Sequence, residues 1–155
     1  MLRPSRKMCH ALEAVLDIAC GNGSEPVRST EIMRRQGIPK RYIEQVMQRL
    51  VRAGVLTGVR GPRGGYRLAG ERRRVTVGAI ARVVYGLDEH DGGVRGQGGD
   101  GGEGGGSQLA REVIQPLWRD LESDVMARLD AITIDDLCGR AASCNAADHR
   151  RDAAN

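Results

Sequence analysis

The sequence predicts a mainly α-helical fold in which a two-stranded β-hairpin follows three helices and a long helix lies near the C-terminus. Apolar residues recur at helical spacing on both sides of the hairpin, and the strand-like runs VLTGV and GYRL flank the turn RGPRG. The chain of 155 residues contains no Phe, three Tyr and one Trp. We therefore expect one compact domain with an appendage and an aliphatic core.

The composition and the distribution of apolar residues also predict the cellular compartment of the protein. No apolar run approaches the roughly 18 residues of a membrane span. Glu13 and Asp17 interrupt the N-terminal apolar stretch that would otherwise resemble a signal peptide. The four cysteines are more typical of reduced thiols or ligands than of a disulfide framework. We expect a cytoplasmic protein with no membrane partner.

Three helices are predicted before the hairpin. The first covers residues 7–20 and carries an apolar stripe with i, i+3, i+4, i+7 spacing. The second begins with Ser29 as its cap and stops at Gly37, and the third begins at Pro39 and closes at Gly54. The apolar face of the third helix is expected to enter the core through Ile43, Val46, Met47 and Leu50.

A fourth helix follows the hairpin, with Thr76 as its N-cap and Gly86 as its stop. Three helices and a two-stranded hairpin, with the third helix basic, form the pattern of a winged helix-turn-helix. The predicted fold class is therefore mainly α: a winged helix-turn-helix with a small two-stranded β-wing and a long C-terminal dimerisation helix. Residues 1–86 form the predicted DNA-binding domain.

The chain changes character after this domain. Ten of the fifteen residues from 92 to 106 are glycine, so residues 87–107 are predicted to form a flexible loop. Residues 108–137 are predicted to form the dimerisation helix and a short terminal helix, and residues 138–155 a polar tail. Pro116 falls within the long helix and predicts a kink or a later start.

The long helix carries an apolar stripe that so small a core cannot bury. Such a stripe is expected to pack against the same stripe of a second copy of the chain, which predicts a homodimer. A final helical turn after the stripe would be capped by Thr133. The predicted dimerisation residues are Leu109, Val113, Leu117, Trp118, Leu121, Val125 and Leu129.

The charge is divided between two halves of the chain. Residues 1–85 carry a net charge of +11 and residues 86–155 a net charge of −7, within a total of +4. Clustered cations gain free energy from counterion release on nucleic acid, so the basic half predicts a DNA partner. The third helix begins with cations and an amide that can pair with adenine. These candidate recognition residues, for which a solvated helix face is the alternative, are Lys40, Arg41, Tyr42 and Gln45.

The turn of the hairpin carries Arg60 and Arg63 among glycines. Guanidinium groups there would enter a minor groove or bind phosphates. Gly64 and Gly65 would let the backbone approach the nucleic acid closely. A plain tight turn is the alternative.

The chain resembles the Rrf2 family of winged-helix transcriptional regulators, the IscR/NsrR/CymR type, over residues 3–137. The resemblance is carried by RKMCHALEAVLDIA, IPKRYIEQVMQRLVRAGVLTGVRGPRGGYRL, VTVGAIARVVYG and LDAITIDDL, of which the wing RGPRGGYRL is the most specific. It implies a homodimer that binds a pseudo-palindromic double-stranded DNA operator through the third helix and wing, with the long helix as dimer interface. It also implies that DNA is contacted, or the contact supported, by Arg6, Lys7, Lys40, Arg41, Tyr42, Gln45, Arg60, Arg63 and Tyr66.

The sequence departs from the family where many members bind an iron–sulfur cluster. The resemblance would place three cysteine ligands between the fourth helix and the long helix, but this interval contains no cysteine. We therefore predict no cofactor, and a cluster-free regulator that responds to redox chemistry, a metabolite or a protein partner. The alternative is an iron–sulfur or metal sensor with non-standard ligands: Cys9 and Glu13 on the first helix, with His90 from the interval.

Two further cysteines lie near the C-terminus. The C-x5-C spacing of Cys138 and Cys144 predicts a reversible disulfide if the local backbone is loose, with two ordinary thiols as the alternative. Cys20 is expected to be a buried core thiol.

These features predict a dimeric, sequence-specific DNA-binding regulator that acts as a repressor. A protein-interaction module without specific DNA binding is the alternative from a different class. An enzyme is not predicted, because the sequence shows no catalytic constellation, nucleotide-binding loop or dense metal motif.

Overall fold

The computed structural model describes residues 4–21, 25–91 and 107–152, with the side chains of residues 87–91 and 144–152 left out of the description. The predicted fold class is confirmed: helices dominate, and the described strands form one two-stranded antiparallel sheet. The elements in chain order are α1 (Arg6–Cys20), α2 (Ser29–Gln36), α3 (Lys40–Arg52), β1 (Leu56–Val59), β2 (Gly65–Leu68), a 3₁₀ turn (Arg72–Arg74), α4 (Val77–Asp91), a π-helical turn (Ala110–Ile114), α5 (Gln115–Asp130) and α6 (Ile134–Asp152).

The first three helices enclose an aliphatic core. Ser5 caps α1, where its hydroxyl accepts a hydrogen bond from the Met8 N–H at 3.1 Å. Gly37 ends α2 in the left-handed conformation, with φ of 65°. The predicted core face of α3 is confirmed, because each of its four residues is fully buried: Ile43, Val46, Met47 and Leu50.

The hairpin has a third short partner that the sequence did not indicate. Within the hairpin, β1 and β2 pair so that Leu56 faces Leu68 and Val59 faces Gly65. Val27, just before α2, forms a β-bridge with Tyr66 through two backbone hydrogen bonds of 2.8 Å. The wing is therefore held close to its turn by the segment that leads into the helix-turn-helix.

The predicted cap of α4 is confirmed and its predicted stop is wrong. The Thr76 hydroxyl accepts a hydrogen bond from the Ala79 N–H at 3.2 Å. The helix passes through Gly86 and continues to Asp91. Glycine ends a helix when it adopts a positive φ, and Gly86 does not adopt one.

The long C-terminal helix begins irregularly, close to the predicted kink. A π-helical turn over Ala110–Ile114 precedes α5, and Gln115 donates its N–H to the Ala110 carbonyl. Pro116 in the first turn of α5 has no N–H to donate, so the preceding turn widens instead of continuing in α-helical register. Residues 92–106, which make up most of the predicted glycine-rich loop, lie outside the described residues.

The predicted polar tail is instead helical. Thr133 caps the last helix, as expected, since its hydroxyl accepts from the Asp136 N–H at 3.1 Å. That helix, α6, runs for 19 residues to Asp152. Four of the residues between 141 and 147 are alanine, which has the highest helix propensity. Polarity alone was therefore a poor guide to this segment.

An ion pair fastens α5 to α4. Arg82 donates two hydrogen bonds to Asp130, from Nη1 to Oδ1 at 2.8 Å and from Nη2 to Oδ2 at 2.6 Å. These bonds hold the pKa of Asp130 below and that of Arg82 above their ordinary values. Two backbone bonds of 2.8 Å join the same end of α5 to the start of α4: Val77 N–H to Ile132 O, and Ile134 N–H to Val75 O.

In the parts of the chain that the structure describes, every helix is too short or too polar to cross a membrane.

Candidate nucleic-acid interface

The start of α3 presents its polar residues away from the core. Pro39 stands at the N-cap with φ of −61° and ψ of 137°, so the helix begins at Lys40. Since the opposite face is fully buried, Lys40, Arg41 and Gln45 are left exposed. Lys40 lies 3.8 Å from Glu44, but its side chain is 73% exposed, so this pair holds it weakly.

Tyr42 joins the start of α3 to the start of α1. Its hydroxyl donates to the Lys7 backbone carbonyl at 2.5 Å, and its ring is half-buried against the core. The structure therefore gives Tyr42 a positioning role: it sets the two basic helix starts beside each other. On α1, Arg6 is exposed and Lys7 half-buried.

The tip of the wing is exposed and braced. Arg60 and Arg63 are both exposed. Gly61 has φ of 108°, and its carbonyl accepts from the Gly64 N–H at 2.9 Å, which closes the turn. The Arg28 guanidinium, at the start of α2, donates to the Pro62 carbonyl. Sequence reasoning missed Arg28 because a long-range contact to a backbone carbonyl leaves no local pattern.

Gly64 and Gly65 are required by the protein's own backbone. A Cβ on Gly64 would collide with the Val59 carbonyl oxygen, and one on Gly65 would lie 2.5 Å from the Val27 carbonyl oxygen. We predicted these glycines as points of close approach to nucleic acid. The structure supplies a different reason for them, namely the approach of neighbouring strands. Tyr66 is half-buried and packs on the core, so it supports the wing.

The exposed cations are therefore carried on connected segments. Tyr42 links α1 to α3, α3 packs against β1, and Arg28 links α2 to the wing tip. A helix start and a hairpin tip that both carry arginine suit a major groove and the adjacent backbone or minor groove. The exposed cations at the starts of α1 and α3 and at the wing tip are Arg6, Lys40, Arg41, Arg60 and Arg63.

A second surface is apolar and lies along α5 and its π-helical turn. Large apolar side chains there are 40–65% exposed in the protomer. A contiguous exposed apolar surface of this kind marks an interaction site. Leu129, which we predicted as a member, is instead partly buried against the protomer's own core, because the backbone bonds to α4 draw that end of α5 inward. The exposed residues are Leu109, Val113, Ile114, Leu117, Trp118, Leu121 and Val125.

The cysteines pair differently from the prediction. Cys138 forms a disulfide with Cys20, and their Cα atoms are 5.9 Å apart. Cys20 is exposed at the end of α1, so the expected buried thiol is wrong. The side chain of Cys144 lies outside the described residues. The partners are 118 positions apart in the sequence, so no spacing rule could have found the pair.

The described residues do not bring together a ligand set for an iron–sulfur cluster. Among the described residues, no group of three or more His, Cys, Asp and Glu is placed to hold a metal. Cys9 is the free thiol of the described part, and Glu13 lies 3.2 Å from His10, with which it pairs. The side chain of His90 lies outside the description. Clusters are held by several thiolates, and the disulfide removes two of the chain's four cysteines.

Comparison with known proteins agrees with this architecture. A family model described as "Rrf2: Iron-dependent Transcriptional regulator" matches residues 4–140. The HTH-type transcriptional regulator IscR of Photorhabdus laumondii is 35% identical over 136 residues, covering 88% of this chain and 79% of the relative.

Two solved structures are also similar. T. potens IscR superposes with a TM-score of 0.65 at 31% identity, covering 90% of this chain and 88% of that one. The global cysteine regulator CymR of B. subtilis gives a TM-score of 0.62 at 27% identity, covering 90% and 98%.

A basic helix-turn-helix, a braced arginine-tipped wing and an exposed apolar helix define a winged-helix DNA-binding regulator. The chain belongs to the Rrf2 family, and it is a transcriptional regulator of that type.

Proposed function

We propose that this chain is a cytoplasmic, homodimeric repressor that binds a pseudo-palindromic double-stranded DNA operator without an iron–sulfur cluster and without enzymatic activity. The observation that carries the proposal is the exposed cationic start of α3, which Tyr42 holds beside the start of α1. The recognition helix would enter the major groove with Lys40, Arg41 and Gln45, while Arg60 and Arg63 bind the flanking backbone or minor groove.

The exposed apolar residues of α5 support the homodimer. Seven large apolar side chains remain 40–65% exposed in one protomer, and an isologous pairing of two copies would bury them further. A dimer explains why the operator should be pseudo-palindromic, since each protomer reads one half-site.

The first experiment is selection from a pool of random duplex DNA. The full-length protein should enrich a sequence with two inverted half-sites whose centres are about 10–10.5 bp, or a multiple of this, apart. Binding should survive excess random DNA at moderate salt. If nothing is enriched, the protein-interaction alternative replaces specific DNA recognition.

Arg41→Ala is expected to weaken binding to the selected operator by about 1–3 kcal/mol if the guanidinium contacts a base. If the guanidinium binds only phosphate, the slope of the logarithm of the binding constant against the logarithm of the salt concentration should decrease in magnitude by about 1. Arg52→Ala is the matched control, because Arg52 is an exposed arginine at the other end of the same helix. Binding titrations at several salt concentrations measure both quantities. Equal effects from the two variants would remove the start of α3 from the interface.

Iron and acid-labile sulfide analysis of protein purified without oxygen tests the cluster-free part of the proposal. We expect a colourless, iron-free protein, because the interval between α4 and the long helix contains no cysteine to supply the cluster's thiolates. A stoichiometric iron–sulfur chromophore would contradict this part and direct mutagenesis to Cys9, Glu13 and His90. The signal that we expect instead is redox, metabolite or protein in nature.

A further inference from the structure

The disulfide between Cys20 and Cys138 joins the DNA-binding module to the C-terminal helix. Cys20 is the last residue of α1, and Cys138 lies in the second turn of α6. Their Cα separation of 5.9 Å is typical of a disulfide. Residues 131–133 alone separate α5 from α6, so the bond ties the end of α1 to the helix that follows the apolar surface.

The two cysteines would stay close without the bond. Ile134, at the start of α6, is fully buried, and its N–H donates to the Val75 carbonyl at 2.8 Å. Asp135 lies 3.7 Å from Arg72 and 3.4 Å from Arg73. These contacts hold the first turn of α6 independently of the sulfur atoms, so a reduced pair remains positioned to close again.

Small thiols can reach one end of the bond. Cys20 is exposed, whereas Cys138 is only 8% exposed. A groove of about 630 Å³ opens beside Cys20 and is lined by the two chain neighbours of that residue, Ala19 and Gly21. Exposed disulfides are the ones that small thiols reduce readily. A purely structural crosslink would be better protected at both sulfurs.

We propose that Cys20 and Cys138 form a reversible redox site that is oxidised by low-molecular-weight disulfides. The Cys20 thiolate attacks one sulfur of the small disulfide and expels one small thiolate, which leaves a mixed disulfide on Cys20. The Cys138 thiolate then attacks the Cys20 sulfur, forms the protein disulfide and expels the second small thiolate. Two electrons pass from the two protein thiols to the small disulfide, and the protons go to the released thiolates.

The oxidised state favours operator binding, and this consequence rests on the function proposed above. The bond adds a covalent tie between the α1–α3 module and the helix that follows the dimerisation surface. The other contacts already place α6 beside α1, and the bond restricts the motion that remains between them. This restriction narrows the range of distances between the two recognition helices of a dimer. A larger fraction of molecules then matches the spacing of the half-sites, which raises the apparent affinity.

The test is a redox titration with mixtures of reduced and oxidised glutathione, followed by acid quenching and counting of free thiols by mass spectrometry. We expect the number of free thiols to change by two per chain, in a two-electron transition, between pure oxidised and pure reduced glutathione. The oxidised protein should also melt roughly 5–15 °C higher, since the bond closes a long loop.

Single variants locate the site. Cys20→Ser should abolish the transition without affecting the fold, because Cys20 is exposed. Cys138→Ala provides a second variant that fits the buried position. Cys9→Ser and Cys144→Ser are the matched controls and should leave the transition unchanged. Loss of the transition in Cys144→Ser would assign the bond to another pair. A bond that persists in about 10 mM reduced glutathione, or that never forms in oxidised glutathione, would overturn the proposal.

Operator titrations of the two redox forms complete the test. Oxidised protein should bind the selected operator about fivefold or more tightly than reduced protein, and Cys20→Ser should match the reduced form in both conditions. Equal affinities would show that oxidation does not regulate operator binding. The thiol count would still show whether Cys20 and Cys138 form a reversible disulfide. If no form binds DNA specifically, the proposed function fails, and the thiol titration still reports on the site independently.

Discussion

Leu121→Glu is expected to convert the dimer to a monomer and to lower affinity for the operator by at least about 100-fold, because a monomer loses the second half-site. Leu121 lies on the apolar surface of α5 and is 44% exposed in the protomer. In a dimer interface on this surface each new carboxylate would be buried without a partner, which strongly disfavours association. Analytical ultracentrifugation and operator titration measure the two effects.

The matched control for this prediction is Ser123→Glu. Ser123 is exposed on the same helix two residues further on, so the same new carboxylate projects from a different face. This variant should remain a dimer with unchanged operator affinity. Circular dichroism should show native helix content in both variants, since Leu121 is not part of the protomer core. A dimeric Leu121→Glu protein with full affinity would show that α5 is not the interface.

Gly65→Ala is expected to destabilise the protein by about 1–3 kcal/mol, as overpacking typically does, and to weaken operator binding as well. The new Cβ would lie 2.5 Å from the Val27 carbonyl oxygen, 2.7 Å from the Val27 carbonyl carbon and 3.1 Å from the Arg28 nitrogen. These are backbone atoms that cannot rotate away. The Val27–Tyr66 bridge would have to open, which would move the arginine-bearing wing tip away from the DNA.

Gly58→Ala is the control for the wing. Gly58 pairs with Tyr66 across the hairpin, and a Cβ there meets no atom within 4 Å. Denaturant unfolding and operator titration should therefore leave Gly58→Ala close to wild type. Equal losses in the two variants would mean that the hairpin tolerates neither side chain. An unaffected Gly65→Ala would show that the contact between Gly65 and Val27 is loosely packed.

The elements that could be predicted are those that depend on the pattern of residues within one short segment of the chain. The four buried residues of α3 follow from apolar spacing within a single helix. The Thr76 cap and the hairpin around RGPRG follow from residue types that satisfy backbone groups or turns nearby. The exposed start of α3 then followed, because its residues lie off the apolar face.

Two errors concerned where helices end. The helix α4 continues through Gly86 to Asp91, because glycine allows a left-handed conformation but does not impose it. The tail after Leu137 was judged by polarity, although its alanines favour a helix. In both cases the intrinsic preference was weak and the surrounding helix decided the outcome.

The sequence by itself determined the winged-helix class, the basic recognition face and the surplus of apolar residues on α5, because each depends on periodicity or charge within one segment. The tertiary structure alone decided that Cys20 meets Cys138, that Arg28 braces the wing and that Leu129 turns inward. These contacts join residues that are far apart in the chain, or depend on how one helix docks on another. Their partners are chosen by the packing of the whole fold, which no local pattern records.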